Sequence, residues 1–273
     1  MIEMKRPRGK GAAAITLIEL IYHNTARSVR KTHGNAALAI LSSIMQSLMM
    51  VAVFFVMFSV LGLRGSAIRG DFLLYIMSGV FLFFTHIRTV AAVFNSEGPA
   101  HPIMHHVPMT TAVAISSAAL GSLYTQLLTV TAILVVYQAG WGAVEIQDPA
   151  GALAMLLLAW FSGVAIGMVF LALKPWLPGF TNIAHTIFAR ANMIASGKMF
   201  VANAMPGFML SLFLWNPLFH IIDQARGFIF INYNPHTTSL IYPIAISLAL
   251  LMIGLMGEFY TRKHASASWS ARL

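Results

Sequence analysis

Apolar residues run through this chain in long blocks, without the one-faced or alternating pattern of a water-soluble domain. A helix needs about 20 such residues to cross a bilayer. Between Asn35 and Arg64 there is no Lys, Arg, Asp or Glu, which predicts a first span over 37–62. A second is expected over 72–94, with His86 and Arg88 near its far end, a third within 110–139 and a fourth between Asp148 and Lys174. The fifth, over 180–204, is less pure because it holds Arg190 and Lys198, and the sixth lies at 237–260. Pro99, Pro102, Pro108, Pro149, Pro175, Pro178, Pro206, Pro217 and Pro235 all fall between or beside these blocks, where helices should stop. Pro243 sits in the first turns of the sixth, either kinking it or tolerated near its start.

Two stretches read differently. The apolar run Gly207–Ile222 is 16 residues long, is cut by Asn216-Pro217 and is followed by Asp223 and Arg226. Runs this short are more often re-entrant or buried than spanning. Upstream, Ile15, Leu17, Ile18, Ile21 and Tyr22 share a helical face, while Arg27, Arg30 and Lys31 gather at its end. That suits a helix lying in the cytoplasmic interface, with a soluble leader helix as the alternative. The predicted organisation is all-α: residues 1–35 a basic cytoplasmic segment with an interfacial helix, 36–260 one membrane domain, and 261–273 a cytoplasmic tail.

Composition agrees with the pattern. Of 273 residues, 58% are hydrophobic and 9% charged, and the mean hydropathy is +0.77. A soluble domain carries about 25% charge. Zero cysteines exclude a disulfide scaffold, a thiol nucleophile and thiolate metal sites. Lys plus Arg number 17 against 8 Asp plus Glu, and seven of the 17 lie in the first 31 residues. Basic ends around an apolar body fit the positive-inside rule better than a nucleic-acid groove. Both termini are therefore expected in the cytoplasm with an even number of crossings: six spans and a re-entrant hairpin before the last. Residues 1–35 do not read as a signal peptide.

Candidate chemistry is sparse. No G-x-x-x-x-G-K-[ST] loop appears; the nearest Gly-Lys pairs, Gly9-Lys10 and Gly197-Lys198, lack its spacing. No mid-membrane carboxylate stands out either, which disfavours a proton-coupled transporter. In the segment 95–109, NSEGPAHPIMHHVPM, His101, His105 and His106 invite a metal reading. Pro102 interrupts the local helix, and Glu97 is the nearby acid, so a docking element between prolines is preferred and no metal is assigned. Arg88 either snorkels or faces a partner. Arg190 and Lys198 are eight apart, on roughly one helical face, and are read as lining a polar path, with packing against a second subunit as the alternative. Gly163 and Gly167 form a G-x-x-x-G whose expected use is close helix packing, homodimerisation being one version. Phe54, Phe55, Phe58, Phe72, Tyr75, Tyr137, Trp141 and Trp215 are read as an outer interfacial belt, a subset of which would offer faces to sugar rings.

Two segments carry a resemblance: YIMSGVFLFF from Tyr75 to Phe84, leading through Asn95-Ser-Glu-Gly98 to Val107-Pro108, and LWNPLFH from Leu214 to His220, followed by Asp223 and Arg226. With the order of elements, they resemble an ABC-2-type exporter permease, and the second is similar to the capsular polysaccharide and O-antigen export branch. The resemblance implies a non-catalytic subunit of the bacterial inner membrane, paired with a second copy of itself and two ABC ATPase subunits. ATP and Mg would be bound by those partners, with no cofactor on this chain. Residues 96–108 would be the ATPase-coupling element, with Glu97, Pro99, His101, His105, His106 and Pro108 as its contacts. The path or gate would draw on Tyr75, Arg190, Lys198, Trp215, Asn216, Pro217, His220, Asp223 and Arg226. A lipid-linked polysaccharide would be the cargo, handed to periplasmic and outer-membrane partners. The alternatives are a drug or lipid cargo and a histidine-metal membrane enzyme.

Overall fold

The computed structural model describes residues 18–26, 36–62, 68, 70–97 and 110–264. Regular structure among them is helical: α1 within 18–26, α2 Ala36–Val60, α3 Phe72–Phe94, α4 Thr111–Gly140, α5 Pro149–Leu173, α6 Pro178–Ala195, α7 Gly207–Phe213, α8 Pro217–Ile229 and α9 Ile241–His264. The polar residues that bracket the apolar blocks are the caps. Asp71 accepts from the backbone N–H groups of Leu73 and Leu74 at 2.7 and 3.1 Å. Asp148 accepts from Gly151 N at 3.0 Å, with Pro149 opening α5, and Asn216 accepts from Leu218 N at 3.0 Å ahead of Pro217. Each satisfies N–H groups that a helix start leaves unpaired, and proline gives up no bond there. Pro243 lies in the first turn of α9, where it is likewise tolerated.

Five helices, α2, α3, α4, α5 and α9, are long and apolar enough to cross a membrane. The chain is a multi-pass helical membrane protein. α6 is not among the five: its 18 residues include Asn182, His185, Arg190 and Asn192. The central helix is α3, 72% of whose apolar window is buried, against 22% for α2 and α9.

Contacts give the direction of each helix. Arg88, late in α3, reaches Ser43 and Gln46, early in α2. Phe72, opening α3, packs on Phe58 and Phe55, late in α2. Thr111, opening α4, donates to Glu258 in the last turns of α9. Trp176, just past α5, donates to Thr261 of α9 at 2.8 Å. Thus α5 and α9 run parallel, and residues 174–240 must carry the chain back across the bundle. They do so along α3. The His185 ring stacks on Phe94 at 4.4 Å, Phe188 lies 6.1 Å from His86, Lys198 sits over Phe83, and Tyr75 donates to the Met199 carbonyl at 3.1 Å.

Small residues let these helices close up. A Cβ on Gly163 would lie 2.7 Å from the His86 carbonyl of α3, and one on Gly167 2.8 Å from Val93 Cβ. The G-x-x-x-G face is therefore filled by α3 of the same chain. On the other side of α5, Gly254 of α9 lies against Met168, where a Cβ would come to 2.6 Å.

Large apolar side chains face outward as well as inward, and polar groups are buried among them. Leu41, Met45, Met49, Val53 and Val56 of α2 face outward, while Ser43, Ser47, Gln126, Thr129, Ser162 and Asn192 are buried. Bilayer hydrocarbon makes the outward choice favourable, and interhelical hydrogen bonds join Thr129 to Ser43, Arg88 to Gln126, His86 to Ser162 and Asn216 to Asn192. The expected aromatic belt is only partly a belt. Phe54, Phe58, Tyr75 and Tyr137 are core residues, whereas Trp141 and Trp215 are exposed. α2 and α3 meet ring on ring at that end, and Tyr137 of α4 donates to Asp71 beside them.

Candidate functional site

The polar interior is built where α6 ends. Ser196 caps α6, and Gly197 then takes a φ of +69°, a conformation open to glycine. The turn exposes the carbonyls of Gly197, Lys198 and Phe200, and α8 brings Arg226 beneath them. Its guanidinium donates to Gly197 O at 3.2 Å, Lys198 O at 2.6 Å and Phe200 O, and it lies 4.3 Å from the Tyr75 ring centroid. Arg226 is fully buried. One turn earlier, buried Asp223 accepts from Tyr233 Oη at 2.5 Å, Thr238 Oγ1 at 2.8 Å and Ala202 N at 3.2 Å. The two charges are not within ion-pair distance of each other; among the described residues that distance is reached by His23 and Glu19. Neutral dipoles solvate each separately, which is how a buried charge without a counter-ion is kept. Burial, and then the Asp223 carboxylate beside it, push the Tyr233 phenol above its ordinary pKa.

Lys198 is a second buried cation. Its ammonium donates to the Met193 carbonyl and lies 3.8 Å from the centroid of Phe83 and 5.5 Å from that of Phe54. The expectation that Arg190 and Lys198 share a helical face is corrected, because the helix stops at Ala195 and the Gly197 turn redirects the chain. Lys198 turns inward, while Arg190 stays on the exposed side of α6 with Asn182 and Thr186. The start of α8 is tied to α6: Asn216 donates to Asn192 Oδ1 at 2.8 Å and to Ala195 O at 2.9 Å. His220 pairs through Nε2 with Leu214 O at 2.9 Å and accepts at Nδ1 from Ser239 N at 3.0 Å. Trp215 points out, 82% exposed.

Tyr75, Lys198, Asp223 and Arg226 thus form one buried cluster, Asn216, Pro217 and His220 brace its flank, and Arg190 and Trp215 lie outside it. Of the coupling residues, Glu97 follows the end of α3; Pro99, His101, His105, His106 and Pro108 lie outside the described residues. Asp223 was expected in the path or gate, but its burial was not foreseen, because its donors Tyr233 and Thr238 come from the polar stretch before α9. Of the two readings of Arg88, it faces partners, and these lie within the chain: it binds Gln126 Oε1 at 3.0 Å, Ser43 O and Gln46 Oε1 at 3.2 Å, and Ser43 Oγ. At the α3-start end, a cleft of about 810 Å³ opens between Asp71, Tyr137, Glu145, Gln147 and Asn232.

The arrangement offers fixed charge and a broken helix path. Among the described residues no three His, Asp or Glu side chains gather as metal ligands. Compared with known proteins, the chain matches no protein-family model and no curated protein.

Proposed function

We infer that this chain is the membrane subunit of an ATP-driven exporter of the ABC-2 type, moving a polysaccharide across the bacterial inner membrane. The observation that carries the reading is the interrupted return between two parallel spans. α6 climbs along α3 and breaks at Gly197, and α8 then runs from Asn192 and Ala195 to the Gln147 and Asp148 backbone. In this reading the return is the fifth of six crossings, α7 and α8 are a re-entrant hairpin, and both termini are cytoplasmic. The buried Lys198–Asp223–Arg226 cluster holds the hairpin to α3. The exposed stripe Asn182, Thr186 and Arg190 is costly in lipid, which supports its facing an aqueous path beside a second copy. Residues 96–108 receive the push of the ATPase, which biases the paired halves between closed and open forms.

The test is reconstitution. The purified chain is expected to hydrolyse no ATP; with its cognate ATPase it should form a complex holding two copies of each. Replacing Glu97 and His105 together should leave hydrolysis intact and stop export. ATP turnover by the chain alone, or undiminished glycan export by the double variant, overturns the assignment.

A further inference from the structure

At the end of the bundle where α5 and α9 finish, Val169, Ala172, Leu173, Trp176, Ile253, Gly257, Tyr260 and Thr261 line a groove of about 380 Å³. Its floor is tight: a Cβ on Gly257 would lie 2.9 Å from Ala172 Cβ. Two polar groups in its wall are already used, since the Trp176 indole donates to Thr261 Oγ1 at 2.8 Å and that hydroxyl donates to Ala172 O at 3.4 Å, and the rest of the lining is almost wholly apolar. The groove therefore offers carbon, and Leu173, Ile253 and Tyr260 open it to the outside of the bundle. Both of its walls are membrane-spanning helices. Its mouth has a different character. Trp176 and Tyr260 stack at 5.6 Å, and His264 extends the stack at 4.2 Å from Tyr260, as amphipathic rings do at headgroup depth.

Charge chooses the occupant. Gly257, Tyr260, Thr261 and His264 share one face of α9, at i, i+3, i+4 and i+7. Lys263 is exposed and three residues beyond Tyr260, so it flanks the mouth. Arg262 lies on the opposite face, with its guanidinium 5.8 Å from the Phe259 centroid. No carboxylate lines the groove. An apolar slot with an aromatic rim and a flanking ammonium, at the end of two spans, matches an acyl chain joined to an anionic headgroup. We propose that this groove is a site for one anionic phospholipid, its acyl chain between α5 and α9 and its phosphate beside Lys263.

The full chain, reconstituted in nanodiscs of equal parts phosphatidylcholine and phosphatidylglycerol with the same acyl chains, is released gently and weighed by native mass spectrometry. The native chain should retain phosphatidylglycerol in preference to phosphatidylcholine. Lys263→Gln should cut that preference about fivefold, the effect of one basic group near a membrane surface, whereas Arg262→Gln should leave most of it. Ile253→Trp, at an exposed position, should fill the slot and lower retention of both lipids. Equal retention of both lipids by the native chain, or no change in Lys263→Gln, overturns the proposal. So does cross-linking of Ile253→Cys to a second copy, which would assign the groove to a protein interface; the chain has no other cysteine.

Discussion

Asp223 and Arg226 sit one helical turn apart, yet each is solvated by its own neutral shell. Tyr233→Phe removes one donor to a buried carboxylate, so a loss of about 1.5–3 kcal/mol is expected from thermal unfolding in detergent. Asp223→Ala should cost more, because it strands the Tyr233 and Thr238 hydroxyls and the Ala202 N–H together. The phenol adds a pH signature. Its pKa is higher in the folded chain, so the unfolded chain loses that proton first as pH rises. Tyr233 therefore contributes stability that is present below about pH 10 and declines above it. The melting temperature should fall in alkaline buffer, and less steeply in Tyr233→Phe. Asn216 separates two roles. Asn216→Asp keeps the acceptor for Leu218 N but loses the donor to Asn192 and Ala195; Asn216→Ala loses both and should cost about 1 kcal/mol more, the usual worth of an N-cap.

Among the elements, close approach decides where the chain tolerates change. Gly163→Leu must push α5 off α3, and Gly254→Leu must push α9 off α5, so both should lower the melting temperature by several degrees and reduce the yield of folded protein. Gly197→Ala adds a positive-φ penalty to a collision with the Phe219 ring. Gly207→Ala, with open space around it, should be neutral; equal losses at positions 207 and 254 would sink this packing account. The start and stop of the spans were legible because caps are local. Asp148-Pro149 and Asn216-Pro217 announce themselves within two residues, and α5 falls between Asp148 and Lys174 as expected. The end of α6 was not legible. Residues 180–204 remain apolar past Ala195, and the break depends on a glycine turn held by Arg226, 29 residues away, which donates to its carbonyl.

On the scale of the whole molecule, the start of α2 and the end of α9 lie at one end of the bundle, and Trp141, after α4, at the other. A cysteine-free chain lets this be read directly. In oriented vesicles, Lys263→Cys and Trp141→Cys should react with an impermeant maleimide from opposite sides; reaction from one side alone would overturn the helix directions. Arg190→Cys should also react if α6 faces water, and should stay unreactive if it faces lipid.

The residues alone determined that this chain lives in a bilayer, roughly where its five long apolar helices lie, and that its basic residues gather toward its ends. Those properties sum over neighbouring positions, since transfer to hydrocarbon is accumulated residue by residue along a window. The tertiary structure decided which polar groups meet. Arg88 finds Ser43 and Gln126, Tyr75 finds Met199, and Asp223 finds Tyr233 and Thr238. A buried donor is satisfied by whatever helix packing brings within about 3 Å, and that partner lies anywhere in the chain.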